Sequence, residues 1–523
     1  MTRHLRKGKR MNRHFKRKFD DRLDLPQSVF GRVDHVVTSG PPANIVLIAI
    51  DAIDIKWLSN QAKQDKRFDI DSPMEAAAAW QRQGLPKPNA PSIFESAPLF
   101  RIEIELDAGK NPFGLPFLPD YNGADADTGA QALENAWFKF EVSLTHRIGF
   151  TPALIYPGLF ATPIPAFVQG MMPTPVHAKA LAEIFSLQHF PKISKVGLKA
   201  TFKGISADML AVYDVGQGNA NALLRSRSNV SCLPLPALYF DLGAGVYRNK
   251  HTTPTHLQFC FSLNPPILLS HWDADHWAGA YATRVGNPPI HSALLRTWIA
   301  PLQTVGPLHV VFANEIIAQG GSLFIYNPAP GTVDRISLPM GTELRLALGT
   351  GSGRNDTGIA ATIERKNLNP SRTWLLTGDC NYMYIEPLLA PTNPIAVVVP
   401  HHGANLKGGA AAPNPFRGAN GYCRLIYSFG PDNAHGATGV RHPTLNAATL
   451  NIGSGWAHGA WQLPAPANTL PNHIYDVRAT ARHTVAGAAG ANLGGILVGW
   501  NGIPAVFNSP CGGRFCTTTP VLD

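Results

Sequence analysis

The stretch 267-ILLSHWDADHWAGAYA-282 places His271, Asp273, Asp275 and His276 within six residues, directly after an apolar run. The run reads as a short buried strand, so these four residues fall on the loop that leaves its C-terminal end. Neutral imidazoles and carboxylates are borderline-to-hard donors, suited to Zn²⁺, Mn²⁺ or Fe. A single His-x-Asp is ordinary surface decoration. Four donors in six positions are the pattern of a metal loop.

Working outward, the same texture recurs from about Ser206. "MLAVYDVGQGNANALL" reads strand, tight turn, strand, and "ALYFDLGAG" repeats the pattern. "TWLLTGDCN" and "IAVVVPHHGAN" are further strands whose ends carry Asp379 and His401–His402, and "RLIYSFGPDNAHGATGVRHPT" leads to a loop bearing His442. Loop residues held by rigid strands are where binding and catalytic groups gather. With Asp379 and His402 the donors number six, enough for two ions sharing a carboxylate. "GTGSGRNDTG" (Gly349–Gly358) either presents backbone N–H groups to an anion or is a plain loop. Trp272 and Trp277 either stack a base or pack beneath the sheet. His435, His458, His473 and His483 read as ordinary surface or core histidines.

At these residues the chain resembles the metallo-β-lactamase fold superfamily, whose signature is His-x-His-x-Asp-His. It is closer to the ComEC-like branch, which carries aspartate at the second position, as His271-x-Asp273-x-Asp275-His276 does. The branch's Asp-Val-Gly-Gln-Gly turn is matched at Asp214–Gly218, its Thr-Gly-Asp at Thr377–Asp379 and its Pro-His-His-Gly at Pro400–Gly403. Asn355–Gly358 and Arg441–Pro443 match its remaining motifs in part, and the likeness spans about 206–450. It implies an α/β class: a four-layer αββα fold of two packed mixed sheets flanked by helices, here preceded by an α+β N-terminal region.

The resemblance also implies roles. His271 and Asp273 would hold a first metal, Asp275, His276 and His402 a second, with Asp379 bridging. The catalytic candidates are Asp275, His401 and His442, the two histidines steadying a phosphate oxygen or protonating the leaving group. Asp214 would orient a ligating histidine. The third histidine of the first site has no counterpart, since His291 and His309 follow no motif, and this tilts preference from Zn²⁺ toward Mn²⁺ or Mg²⁺, with one or two ions.

The bulk composition sets the frame. The chain has 523 residues, 45% hydrophobic and 15% charged, which excludes a disordered protein. No apolar run approaches the roughly 18 residues of a membrane helix, so the expectation is a soluble cytoplasmic protein without membrane insertion. Six cysteines are too few for a disulfide scaffold, and Cys511 and Cys516 are the one close pair. Of the net charge of +10, +8 lies in residues 1–22.

That arm, through Arg3, Arg6, Lys7, Lys9, Arg10, Arg13, Lys16, Arg17 and Lys18, is expected to be disordered and to bind nucleic acid, or else to act as a solubilising tail. Residues 23–205 read as α+β: a strand over Ala43–Ile55, a helix over Ser72–Gly84 with a serine cap, and alternating strands in "LFRIEIELDAG" and "WFKFEVSL". They offer a surface for a protein partner, and Asp51 and Asp54 read as strand-end carboxylates. Residues 206–510 form the hydrolase domain and 511–523 a tail. The functional expectation is a metal-dependent phosphodiesterase, a nuclease on DNA or RNA. The alternatives are a small-molecule ester or phosphoester hydrolase and a non-catalytic nucleic-acid-binding module.

Overall fold

Alternation along 45-IVLIAIDAID-54 sends Val46, Ile48, Ile50 and Ala52 into one apolar core and turns Asp51 and Ile53 the other way. The computed structural model describes residues 11–16, 25–38, 45–85, 87–107, 133–226, 234–254, 257–281, 284–285, 290–406, 409–410, 412–417, 421–457, 476–480 and 495–504. Six antiparallel strands, β1 (Ser28–Thr38), β2 (Ile45–Asp54), β3 (Leu99–Asp107), β4 (Trp137–Ser143), β5 (Thr151–Tyr156) and β6 (Ile164–Met171), close into a barrel in the order β1-β2-β3-β5-β6-β4. Phe100, Ile102, Ile104, Phe138, Phe140, Ile155 and Val168 fill its interior. Register slips between Val33 and His35, so Asp34 is the extra residue of a β-bulge. Bulges of this kind re-aim a side chain.

The helices around the barrel follow local chemistry. Asp54 caps Ile55–Ala62 by accepting from the Trp57 amide. Ser72 does the same for Pro73–Gln83 from Glu75, and Gly84 ends that helix at φ +61°.

The rest of the chain builds two seven-stranded sheets. The first joins β7 (Met209–Val212), β8 (Asn221–Arg225), β9 (Leu235–Phe240) and β10 (Ile267–Leu268). After a short hairpin, β11 (Arg284–Val285) with β12 (Ile290–His291), it adds β13 (Thr297–Pro301) and β14 (Ser322–Tyr326). The second runs in chain order through β15 (Asp334–Leu338), β16 (Thr342–Leu348), β17 (Ile359–Arg365), β18 (Arg372–Leu376), β19 (Pro394–Val398), β20 (Arg424–Tyr427) and β21 (Val477–Ala479). A last strand, β22 (Ile496–Val498), returns to pair with β7. The sheets share one core, in which Leu238, Phe240, Leu268 and Ile299 meet Leu346, Ile363, Trp374 and Val398.

The four-layer αββα expectation is overturned. The outer face of the first sheet is covered by the barrel unit together with one helix, Pro307–Gln319, in a continuous core that runs from Phe30, Ile53 and Leu99 to Tyr239, Ile267 and Trp298. Among the described residues, only the short helices Tyr382–Leu389 and Leu445–Gly453 pack in the core on the far side of the second sheet. Likewise the expected α+β N-terminal region is a closed antiparallel barrel with helices at its surface. The reason is physical: a two-residue period reveals which face of a strand is apolar, but not that β1 and β4 pair to close the ring.

The helix Pro307–Gln319 is apolar on every side and almost wholly buried, as befits a helix between layers. Phe312 stacks on Trp277 at 4.0 Å and meets Phe15 and Trp298 edge-on, so truncating it would cost about 3–5 kcal/mol. Phe15 belongs to the segment expected to be a disordered arm. Within Met11–Lys16 that expectation fails: Asn12, His14 and Phe15 are fully buried, and Asn12 binds Glu315, Phe94 and Ala97. Arg13 lies 5.9 Å from the Phe100 ring and only Lys16 is exposed, while Arg3, Arg6, Lys7, Lys9, Arg10, Arg17 and Lys18 lie outside the described residues. The 511–523 tail, with Cys511 and Cys516, lies outside them too. No helix among the described residues is long and apolar enough to cross a membrane.

Candidate metal centre

The ends of parallel strands from both sheets converge on one point. The loop after β10 carries His271–His276, the turn after β18 carries Asp379, and the turn after β19 carries His401 and His402. The sheets are clamped there by the Ile359 amide, which donates to the Ser270 carbonyl at 2.6 Å. Gly378, at φ +55°, sits so close that a Cβ would come within 2.5 Å of Ser270, so only glycine brings Asp379 alongside His271. His401 and His402 both adopt left-handed backbone angles, φ +48° and +55°. That costs a non-glycine residue of order 1–3 kcal/mol and is sustained by the packing around the turn.

Five side chains gather. His276 Nε2 lies 3.0 Å from Asp379 Oδ1, and His402 Nε2 lies 3.9 Å from the same oxygen and 3.3 Å from Asp275 Oδ2. His271 Nε2 lies 3.6 Å from Asp379 Oδ2. Two groups, His271–His276–Asp379 and Asp275–His276–His402, each have their donor atoms within 4.8 Å of one another and can hold a metal ion. His271 Nε2, His276 Nε2, His402 Nε2 and Asp379 Oδ1 are buried without a hydrogen-bond partner. Leaving such atoms unsatisfied normally costs about 1–3 kcal/mol each, so their convergence fits a cation.

Each ring is turned to offer a lone pair. His402 Nδ1 donates to the Ser428 carbonyl at 2.7 Å and His276 Nδ1 to Asp241 at 2.9 Å. Ser270 gives its hydroxyl proton to Asp241 at 2.8 Å and so accepts from His271 Nδ1 at 3.0 Å. In all three the proton sits on Nδ1 and Nε2 faces the centre. Asp241 therefore does the work expected of Asp214, which only caps its own turn through the Gly216 amide. Burial raises the Asp214 carboxyl to about 7.

Around this set burial and charge oppose each other. Burial disfavours ionised Asp379, but His276, His401, His402 and His271 outweigh it and hold its pKa well below the usual range. Burial likewise disfavours charged His276, yet Asp379 and Asp241 hold its pKa well above the ordinary value. Burial, with neighbouring imidazoles adding to it, keeps His442 neutral. His442 stands beside the donors rather than among them: its ring lies 6.3 Å from that of His402, 5.3 Å from that of His401 and 4.5 Å from that of His435, and Asn433 clamps its backbone. Of the Asp214–Gly218 turn, the residue that reaches this layer is Gln217, 3.4 Å from His442.

Asp273 stands apart. Its Oδ2 is 3.3 Å from His271 Nε2, but its Oδ1 takes the Arg354 guanidinium at 2.5 Å, and it belongs to neither group. Trp272 and Trp277 are fully buried beneath the loop, so they pack rather than stack a base. His435 is no bystander, since it lines the cavity beside the centre; His458, His473 and His483 lie outside the described residues.

That cavity, about 90 Å³, is walled on one side by Asp273–Asp275, Gln217 and His435. The barrel supplies the other side, with Asp34, His35, Leu47, Arg101 and Glu103. The alternating strand 99-LFRIEIELD-107 turns Arg101 and Glu103 of its polar face onto this cavity. Behind it lies a second acidic cluster: Asp51, mid-barrel rather than at a strand end, with Asp34 and His309. Arg101 binds both aspartates, Asp51 at 3.0 Å.

No protein-family model matches the chain, and the search of curated proteins found no match. The assignment of function therefore rests on the chemistry of the site.

Proposed function

We propose that the chain is a divalent-metal-dependent hydrolase of phosphodiester bonds acting on nucleic acid, with the centre at His271, Asp275, His276, Asp379 and His402. The observation that carries this reading is the set of three imidazole nitrogens and one carboxylate oxygen, buried, without partners and drawn into two donor groups that share His276. A divalent ion bound there would supply Lewis acidity and a neutral-pH nucleophile. Asp241, Ser270 and Ser428 fix the ring tautomers. His401, the most exposed imidazole of the set, lies 3.7 Å from Asp379 and is placed to hand a proton to a leaving oxygen.

The motif resemblance to ComEC-like metallo-hydrolases supports the same ligand pattern, although the layered architecture does not follow that family. Nucleic acid is favoured by the +8 arm, rooted through His14, whose Nε2 lies 3.3 Å from the hydroxyl of cavity-lining Tyr247. A second reading, a small phosphoester or ester as substrate, is favoured by the cavity's size, about 90 Å³.

A panel of single-stranded DNA, duplex DNA, RNA and bis(p-nitrophenyl) phosphate, run with Mn²⁺, Mg²⁺ and Zn²⁺, separates the two. Cleavage of a nucleic acid supports the first; turnover of the small ester alone supports the second. Asp379→Ala should lower either rate by about 10³-fold or more. Equal rates in wild type and variant would remove this centre from the chemistry.

A further inference from the structure

Arg354 sits on the Gly-rich loop Gly349–Gly358 and reaches back toward the metal loop. Its Nε lies 2.5 Å from Asp273 Oδ1 and its Nη2 lies 2.5 Å from Asp34 Oδ1, the bulge residue of the barrel. Nη2 also donates to the Asp34 carbonyl at 3.1 Å, and Gln303 holds the Arg354 carbonyl at 2.6 Å. The side chain is 9% exposed. A guanidinium so buried must be paired, because stripping it of water is costly unless carboxylates surround it. It cannot lose its proton under ordinary conditions, so the positive charge is permanent.

Asp273 is thus already neutralised from one side. A divalent ion drawn to its other oxygen would sit beside a fixed cation in a water-poor interior, where like charges repel strongly. The remaining donors show the complementary pattern. His271, His276, Asp379 and His402 face inward with partnerless atoms, and among the described residues no lysine or arginine meets Asp379 or Asp275.

We infer that Arg354 takes the place of a second metal ion: the chain loads one divalent ion, on His271, Asp275, His276, Asp379 and His402, and the guanidinium holds Asp273 out of coordination. The inference rests on the metal reading above and deepens it. In this role Arg354 is a positioning residue, and it ties metal stoichiometry to the barrel through Asp34.

The test is metal content of the full chain after equilibrium dialysis against Mn²⁺, with the electron paramagnetic resonance spectrum of the bound ion. One Mn²⁺ per chain with an uncoupled signal is expected in wild type. Asp273→Asn should keep that ion with affinity within about threefold, whereas Asp275→Asn should weaken it by about 10-fold or more. Arg354→Gln combined with Asp34→Asn removes both charges while keeping hydrogen-bonding groups, and should admit a second, spin-coupled Mn²⁺. Two ions in wild type would overturn the inference and leave the metal reading standing. So would a loss of affinity in Asp273→Asn as large as in Asp275→Asn. No bound ion in wild type would overturn both.

Discussion

Two buried clusters of aspartate and histidine lie side by side in this protein, and they solve the same electrostatic problem in opposite ways. Among the described residues, no lysine or arginine pairs with His271, His276, Asp275, Asp379 or His402. Asp34 and Asp51, which flank His309, are gripped by Arg101, and Asp34 also by Arg354. Geometry alone does not separate the two, because His309 Nε2 and one oxygen of Asp51 also lack hydrogen-bond partners.

Charge and tautomer do separate them. The Gly306 amide donates to His309 Nδ1 at 3.2 Å, so the proton sits on Nε2, the atom facing Asp34, where a metal would need a lone pair. Burial and the charge of Asp34 push Asp51 up to about 7. A cluster of acids and histidines reads as a metal site only when the chain has supplied no arginine or lysine of its own.

The comparison can be broken from either side. The largest effect on stability is expected at Arg101. Arg101→Met strands Asp51 as a buried acid and leaves Asp34 to Arg354 alone, and should cost about 3–5 kcal/mol in urea denaturation. Adding Asp51→Asn should recover part of the loss, and adding Mn²⁺ should not.

Next comes Asp241, which holds His276 and Ser270 in place. Asp241→Asn should weaken Mn²⁺ binding by about 10- to 100-fold in a dialysis titration, with the fold retained by circular dichroism.

The smallest effect belongs to a third kind of buried acid, Glu315, which meets the Asn12 amide at 3.0 Å but neither metal nor arginine. Burial raises its pKa from 4.5 to about 7. The folded chain then keeps a proton that the unfolded chain releases, so stability falls as pH rises from about 4.5 to 7 and is level beyond. Glu315→Gln should leave stability near pH 4 unchanged and raise it by about 1–2 kcal/mol at pH 8, measured by thermal melts at both.

The contrast between the clusters also marks what was legible beforehand. His271 to His276 lie contiguously on one loop, and Asp379 and His402 each follow an apolar strand, so they could be picked out locally as candidate donors. The barrel's contribution could not. Asp34 owes its position to a bulge visible only as a register slip against β2, and its partners Arg101 and Arg354 are 67 and 320 residues away.

Asp214 and Asp241 sit in look-alike turns, "DVGQG" and "DLGAG". The close approach of Gly243, whose Cβ would fall 1.9 Å from the Asp275 carbonyl, lays the second turn directly beneath the metal loop. The layered fold was overestimated for the same kind of reason. Strand-end motifs survive whatever covers the outer face of a sheet, and here that cover is a barrel.

The most direct test pairs His276→Ala with His309→Ala and counts the Mn²⁺ retained by each full-length chain after equilibrium dialysis. Loss of the ion in His276→Ala, with wild-type content in His309→Ala, is the expected result. Retention in His276→Ala together with loss in His309→Ala would place the cation in the arginine-filled cluster and contradict the account.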